Sequence, residues 1–209
     1  ETQTPDDVKF DVFRRINTGG SPLTAQEIRH CMSRKRSRDL LKRLIELASF
    51  RTATDGAFAH ERRMADREVA LRFCAFRSLP TLEDYRQFAS LDSFLLDFTR
   101  RVDGIPASRS PLSDAEVEKL ASEFDRAMSN AALVFGDIAF RKYRITAKRR
   151  GPINRALFES WAVALADYQA ADLEPHTEKI LQEARQRMGD YDYNSSITQG
   201  TGDISTIRL

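Results

Sequence analysis

Cysteine is nearly absent. Cys31 and Cys74 are the only two in 209 residues, and their separation offers neither a disulfide framework nor a metal-ligand spacing. A reducing, cytoplasmic setting is the expectation that follows. Histidine is scarce too: His30, His60 and His176 fall on different stretches, so a histidine metal site and a Ser-His-Asp arrangement both lack their parts. His30 lies nearest the turn described below and is expected at the surface. No Gly-x-Ser-x-Gly, His-Glu-x-x-His, Walker-type or dinucleotide-binding run occurs. No apolar run approaches the length of a membrane span, and the first residues have no signal-peptide hydrophobic core. Charge of one sign does not dominate either. Lys+Arg 33 against Asp+Glu 31 leaves +2, so bulk electrostatics make no case for nucleic-acid binding and only local clusters could. Strand-like alternation and internal repeats are missing as well.

What is there is helical. A hydrophobic share of 41% with 13 Phe supports a buried core, and the fold class expected is mainly α, a multi-helix bundle. Thr24-Ala25-Gln26-Glu27 is a capping box that opens a helix to about residue 33. Ser37 and Asp39 are placed to cap a helix carrying Leu40, Leu41, Leu44, Ile45 and Leu47, and residues 51 to 60 read as a loop. Ala65 to Leu79 carries a core stripe of Val69, Phe73 and Phe76, with Arg72 and Arg77 off it and Glu68 spaced to pair with Arg72. A second capping box, Thr81 to Asp84, precedes Leu91, Phe94, Leu95 and Phe98, and residues 104 to 111 are the clearest loop. Ser113 and Glu116 then open a long helix through Val117, Leu120, Phe124, Ala127, Met128, Ala131 and Phe135 that Gly136 stops. Residues 136 to 152 are irregular and basic, including Arg141, Lys142 and Arg144, with Phe140 and Tyr143 interleaved. A helix from Pro152 places Leu157, Trp161 and Leu165 in the core. A last helix runs from near Pro175, with His176 exposed, to Met188, and the tail from Gly189 reads as loop.

One stretch combines rare backbone chemistry with convergent polar groups. Thr4-Pro5-Asp6-Asp7 starts a helix whose apolar face is Val8, Val12, Phe13 and Ile16. Gly19-Gly20 ends it, Pro22 blocks continuation, and Thr24 caps the next helix. Asn17 sits at the break. Orphan N–H groups at such a break attract anions, and Arg14, Arg15 and Arg29 would add charge-assisted contacts. On physics alone, a capped turn between two surface helices is the commoner outcome. Two basic clusters, Arg34-Lys35-Arg36 with Arg38 and Lys148-Arg149-Arg150, are each either a solvated run or a contact to a nucleic-acid backbone.

The run Val12-Phe13-Arg14-Arg15-Ile16-Asn17-Thr18-Gly19-Gly20, with Leu23, Glu27, Ile28 and Arg29, resembles the second signature of the domain-of-unknown-function 262 family. That family includes the N-terminal domain of GmrSD-type modification-dependent restriction systems, and its core is similar to the ParB/sulfiredoxin fold. The resemblance continues through Arg63 with Asp66-Arg67-Glu68-Val69-Ala70-Leu71-Arg72-Phe73, through Phe135-Gly136-Asp137 with Ala139-Phe140-Arg141, through Asn154-Arg155-Ala156-Leu157-Phe158-Glu159, and into the closing segment from Ser195 to Arg208. The family's first signature, an Asp-Gly-Gln-Gln-Arg loop, is not among these residues and would lie upstream of Glu1.

The resemblance implies that residues 1–33 are the C-terminal end of a ParB-like nucleotide-binding core and that residues 34–209 are a helical domain. It implies a nucleoside triphosphate with Mg2+ at the Gly-Gly turn. Asn17, the implied catalytic residue, would orient phosphate or a metal-bound water, and Arg15 and Thr18 would meet the phosphates. Gly19 and Gly20 would allow close approach, with Glu27 and Arg29 bracing the site. No protein metal ligand is implied. The function expected is a nucleotide-binding, nucleotide-hydrolysing part of a DNA restriction or anti-phage defence system, working with a nuclease domain or subunit and with DNA. The alternative is a non-catalytic helical module that docks DNA or a protein; a structural remnant is a third reading.

Overall fold

The computed structural model describes Val8, Val12, residues 22–143 and residues 151–198. Among these residues, ten α-helices and three short 3-10 turns carry the chain, and the β contact is an isolated antiparallel bridge between Arg141 and Ile153. The helices are α1 (Ala25–Met32), α2 (Lys35–Glu46), α3 (Ala48–Ala53), α4 (Ala65–Arg77), α5 (Leu91–Val102), α6 (Asp114–Phe135), α7 (Arg155–Leu165), α8 (Ala170–Leu173), α9 (Thr177–Arg187) and α10 (Tyr191–Ser196).

The long helix α6 is the post around which the others stand. The Ser113 hydroxyl accepts from Glu116 N–H while the Glu116 carboxylate accepts from Ser113 N–H, and Gly136 closes the other end at φ +53. Val117, Leu120, Phe124, Ala127, Met128, Ala131 and Phe135 are buried. They meet α2, α3, α4, α7, α8 and α9. Phe124 lies at the centre, edge-on to Phe73 at 5.1 Å and beside Phe50 at 5.8 Å and Phe158 at 6.4 Å. A second aromatic group, Phe76, Tyr85, Phe88 and Phe94, joins α4 to α5.

Helix α4 departs most from an amphipathic surface helix. Every residue from Glu68 to Phe76 is buried, because α2, α5, α6 and α7 pack around it. Arg72, off the apolar stripe, is therefore buried as well. Helix α1 attaches to this body through Ile28 and Leu96, with Ala25 and Met32 alongside.

Several local expectations are corrected. The basic run at 34 to 38 is the start of α2, which begins at Lys35 rather than behind a Ser37 or Asp39 cap. The cap comes from the end of α5: the Asp103 carboxylate accepts from the N–H of Arg34 and of Ser37 and from the Ser37 hydroxyl, each at 2.8 Å. The apolar residues before residue 51 are divided between α2 and α3, so the loop there begins only after Ala53. The region after Pro80 is a 3-10 turn, Leu82–Gln87, followed by α5 with its own Ser90 cap. Trp161 is half-buried, stacked on Phe135 at 4.3 Å, and its Nε1–H donates to the Tyr193 hydroxyl. The tail expected to be loop contains α10, capped by Asp190. Arg141 is buried and donates to the carbonyls of Thr54 and Gly151, so its guanidinium serves the fold rather than facing a nucleic acid.

Because Asp103 satisfies the N-terminal donors of α2 in place of a local cap, Asp103→Ala is expected to lower stability by about 1–2 kcal/mol. Urea denaturation of the purified variant measures it; an unchanged midpoint would show that water serves those donors equally well.

Candidate functional site

Four segments far apart in sequence close on one cleft of about 690 Å3. Thr24 and Ala25 come from the start of α1, Glu61 and Arg63 from the loop into α4, and Ala65, Glu68 and Arg72 from α4. Ser90, Leu91 and Asp92 come from the start of α5, and Arg155 from the start of α7.

The α1 side is built on the capping box. Thr24 N–H donates to the Glu27 carboxylate at 2.6 Å, and Glu27 N–H donates to the Thr24 hydroxyl at 3.2 Å. Arg63 then grips the same carboxylate through Nε at 3.0 and 3.1 Å and Nη2 at 2.9 Å, and Nη2 also donates to the Pro22 carbonyl. The Arg63 contacts, followed by the Thr24 N–H, hold the Glu27 carboxyl below the usual carboxylate range. Arg63 thereby fastens Pro22, the first residue described after Gly19 and Gly20, to the cleft. Arg29 lies deeper. It is buried, bonded to Gln26 at 3.0 Å and to the cleft residue Asp92 at 2.6 Å, so it braces α1 against α5 rather than facing the opening.

The floor is a four-residue ionic network between α4 and α7. Arg72 Nη2 donates to Glu68 at 2.7 Å and Nη1 to Glu159 at 3.1 Å, while Arg155 reaches the other Glu68 oxygen at 3.4 Å. The first-turn residues Glu68 and Arg155 pair with each other, as do Arg72 and Glu159 one turn further in. The two helices therefore run in the same sense across the contact. Burial pushes the Glu159 carboxyl up to about 7; Arg72 pulls it down, and the nearby Glu68 charge adds to the rise. Burial works against the Arg72 charge, but Glu159 and Glu68 outweigh it and raise its value.

The remaining site residues expected from sequence distribute unevenly. Arg15, Asn17, Thr18, Gly19 and Gly20, and likewise Lys148, Arg149 and Arg150, lie outside the described residues. In the basic run, Lys35 pairs with Asp39, and Arg36 is drawn onto the Val102 and Leu112 carbonyls and Asp114, at 2.5, 2.8 and 2.6 Å. Arg34 and Arg38 have exposed side chains. His30 is half-buried rather than at the surface; burial, then the charges of Arg67 and Arg38, lower its value. Sequence reasoning passed over Asp92 entirely and took Glu159 and Arg155 only as landmarks. The available signal was their spacing: Arg155 and Glu159 repeat, in reverse, the four-residue interval of Glu68 and Arg72.

No family model, curated protein or solved structure matches the chain. Among the described residues no three of His, Cys, Asp and Glu converge as a metal cage, and no helix is long and apolar enough to cross a membrane.

Arg72→Met is expected to cost about 3–5 kcal/mol in chemical denaturation, since it leaves two buried carboxylates facing each other uncompensated. A loss below 1 kcal/mol would mean that water reaches both. Glu159 supplies a pH signature. Its folded value of about 7 stands above the ordinary 4.5, so its contribution to stability is complete below about pH 4.5 and is lost as pH rises through 7. Glu159→Gln, which cannot ionise, should therefore gain stability relative to the parent across that window. Parallel stability–pH curves would contradict this.

Proposed function

We propose that this chain is part of a nucleotide-binding, nucleotide-hydrolysing protein of a DNA restriction or phage-defence system, with the cleft holding the nucleotide. One observation carries the reading. Three of the segments that resemble the domain-of-unknown-function 262 family, around Thr24, from Arg63 to Arg72, and at Arg155, are separated by up to 131 positions and meet in a single cleft. Packing alone asks for apolar residues at such a convergence. Here the lining includes three arginines and three carboxylates.

In this reading the phosphates meet Arg155, which is half-exposed and makes a long contact to Glu68. Asn17 would orient phosphate or a metal-bound water, as the resemblance implies. Mg2+ arrives on the phosphates, because this ion commonly takes one or two carboxylates together with substrate oxygens rather than a full protein cage. Phosphoryl transfer asks little covalent chemistry of a protein; positioning and charge neutralisation supply most of the acceleration. The reading places this chain as a partner of DNA and of a nuclease domain or subunit.

Calorimetric titration of Mg-nucleotide into the native-length protein tests it. Arg155→Ala should weaken binding by about 10–100-fold, the range of a lost charge-assisted hydrogen bond. Asn17→Ala should abolish phosphate release while helicity by circular dichroism stays intact. Binding that ignores both substitutions would remove the site from this cleft. Absence of binding altogether would favour a helical docking module.

A further inference from the structure

The cleft has a neighbour. A second chamber of about 310 Å3 opens on the other side of Arg155 and Ala65, which line both. Its walls differ in character from those of the cleft. Phe58, Val69, Ile153 and Ala156 supply apolar surface, and Ile197 and Thr198 from the end of α10 close one side. Phe58 is half-buried and lies parallel to Phe50, with ring centroids 5.7 Å apart and planes within 9°. One face of the Phe58 ring is thereby backed by a fixed aromatic, the arrangement that makes a rigid platform for a planar ligand.

We infer that the two chambers take one ligand in two parts: a heterocyclic ring in the smaller chamber against Phe58, and phosphate groups in the larger one beside Arg155. The ligand class is a nucleoside polyphosphate rather than an inorganic polyphosphate or a sugar phosphate. This deepens the proposed function and rests on it. A volume of 310 Å3 sits at the small end of ligand pockets, suited to a ring and not to a whole nucleotide. Arg155 stands where ring and phosphates would join.

The chamber also sets how the ring is read. The Asn154 amide is engaged at both ends: its oxygen accepts from Leu157 N–H at 2.9 Å, and its nitrogen donates to the Ile197 carbonyl at 2.8 Å. The Thr198 hydroxyl donates to the Asn194 carbonyl and accepts from Lys142. The polar side chains of the chamber thus already spend bonds on the fold, so stacking on Phe58 and burial supply the main hold on the base, and purine identity matters little.

Calorimetry on the native-length protein with ATP, GTP and tripolyphosphate, each with Mg2+, decides the matter. ATP and GTP should bind within about threefold of each other, as expected where no specific edge bond discriminates. Each should bind about tenfold or more tighter than tripolyphosphate, the stacking contribution. Ala156→Phe fills the chamber from within, and Thr198→Trp plugs it from the exposed rim. Either should bring nucleotide affinity down to that of tripolyphosphate and leave tripolyphosphate unaffected. Having both guards against a folding defect in one. If folded plugged variants bind ATP as the parent does, the ring lies elsewhere and this inference falls while the nucleotide reading stands. Equal affinity of the parent for ATP and tripolyphosphate overturns it too. If none of the three binds, both fall together.

Discussion

The shared guanidinium of Arg72 fixes much of this structure. Placing a buried arginine on α4 would be costly if it stood alone; Glu68 on its own helix and Glu159 on α7 accept three hydrogen bonds from it. The pairing also sets register. Glu68 must face Arg155 while Arg72 faces Glu159, and a slip of one turn along α7 would set like charges opposite one another. Apolar packing between α4 and α7 tolerates such slips; an ionic network with two fixed intervals does not. The network thus positions the start of α7, and with it Arg155 and the wall between the two chambers.

The same logic recurs at smaller cost around the molecule. Arg77 joins Glu123 of α6 to Asp167 beyond α7, and Asn130 of α6 donates to the carbonyls of Leu165 and Tyr168 at the end of α7. Between α2 and the end of α5, Arg36 donates to the Val102 carbonyl and Asp103 accepts from the Ser37 N–H. Several helix ends are therefore closed by side chains from other helices. Short elements such as α3 and α8, too brief to persist alone, hold their places by packing on α6.

These long-range closures are also the part that was not legible in the sequence. Periodicity identified α6 and its buried face, because a 22-residue amphipathic helix with a cap and a terminal glycine is specified by its own residues. The capping boxes at Thr24 and Ser113 were legible for the same reason, since both partners lie within one turn. The start of α2 was misplaced because its cap, Asp103, lies 66 positions from Ser37. The Glu68–Arg72 pair follows from spacing on one helix; its extension to Arg155 and Glu159 needs the tertiary contact. In the site, Glu27 was named from a motif, whereas the hold of Arg63 on it is visible only once the loop before α4 folds back over α1. Asp92 carried no local signal at all.

Charge balance gives the cleft its character. Glu61, Glu68 and Asp92 stand among Arg63, Arg72 and Arg155, so the described lining is formally neutral and no bare cationic funnel draws an anion in. A phosphate must exchange partners with a carboxylate, and the three arginines differ in what that exchange would break. Arg72 would lose bonds to two carboxylates in a buried setting, and Arg63 would release both Glu27 and the Pro22 carbonyl. Arg155 would give up a 3.4 Å contact from a half-exposed position. Exchange at Arg155 therefore disturbs least, while the other two keep the cleft in shape. The Glu68 oxygen so released faces the opening as an acceptor. In the nucleotide reading it would meet the ion that accompanies the phosphates, so that the departing pair is replaced on both sides.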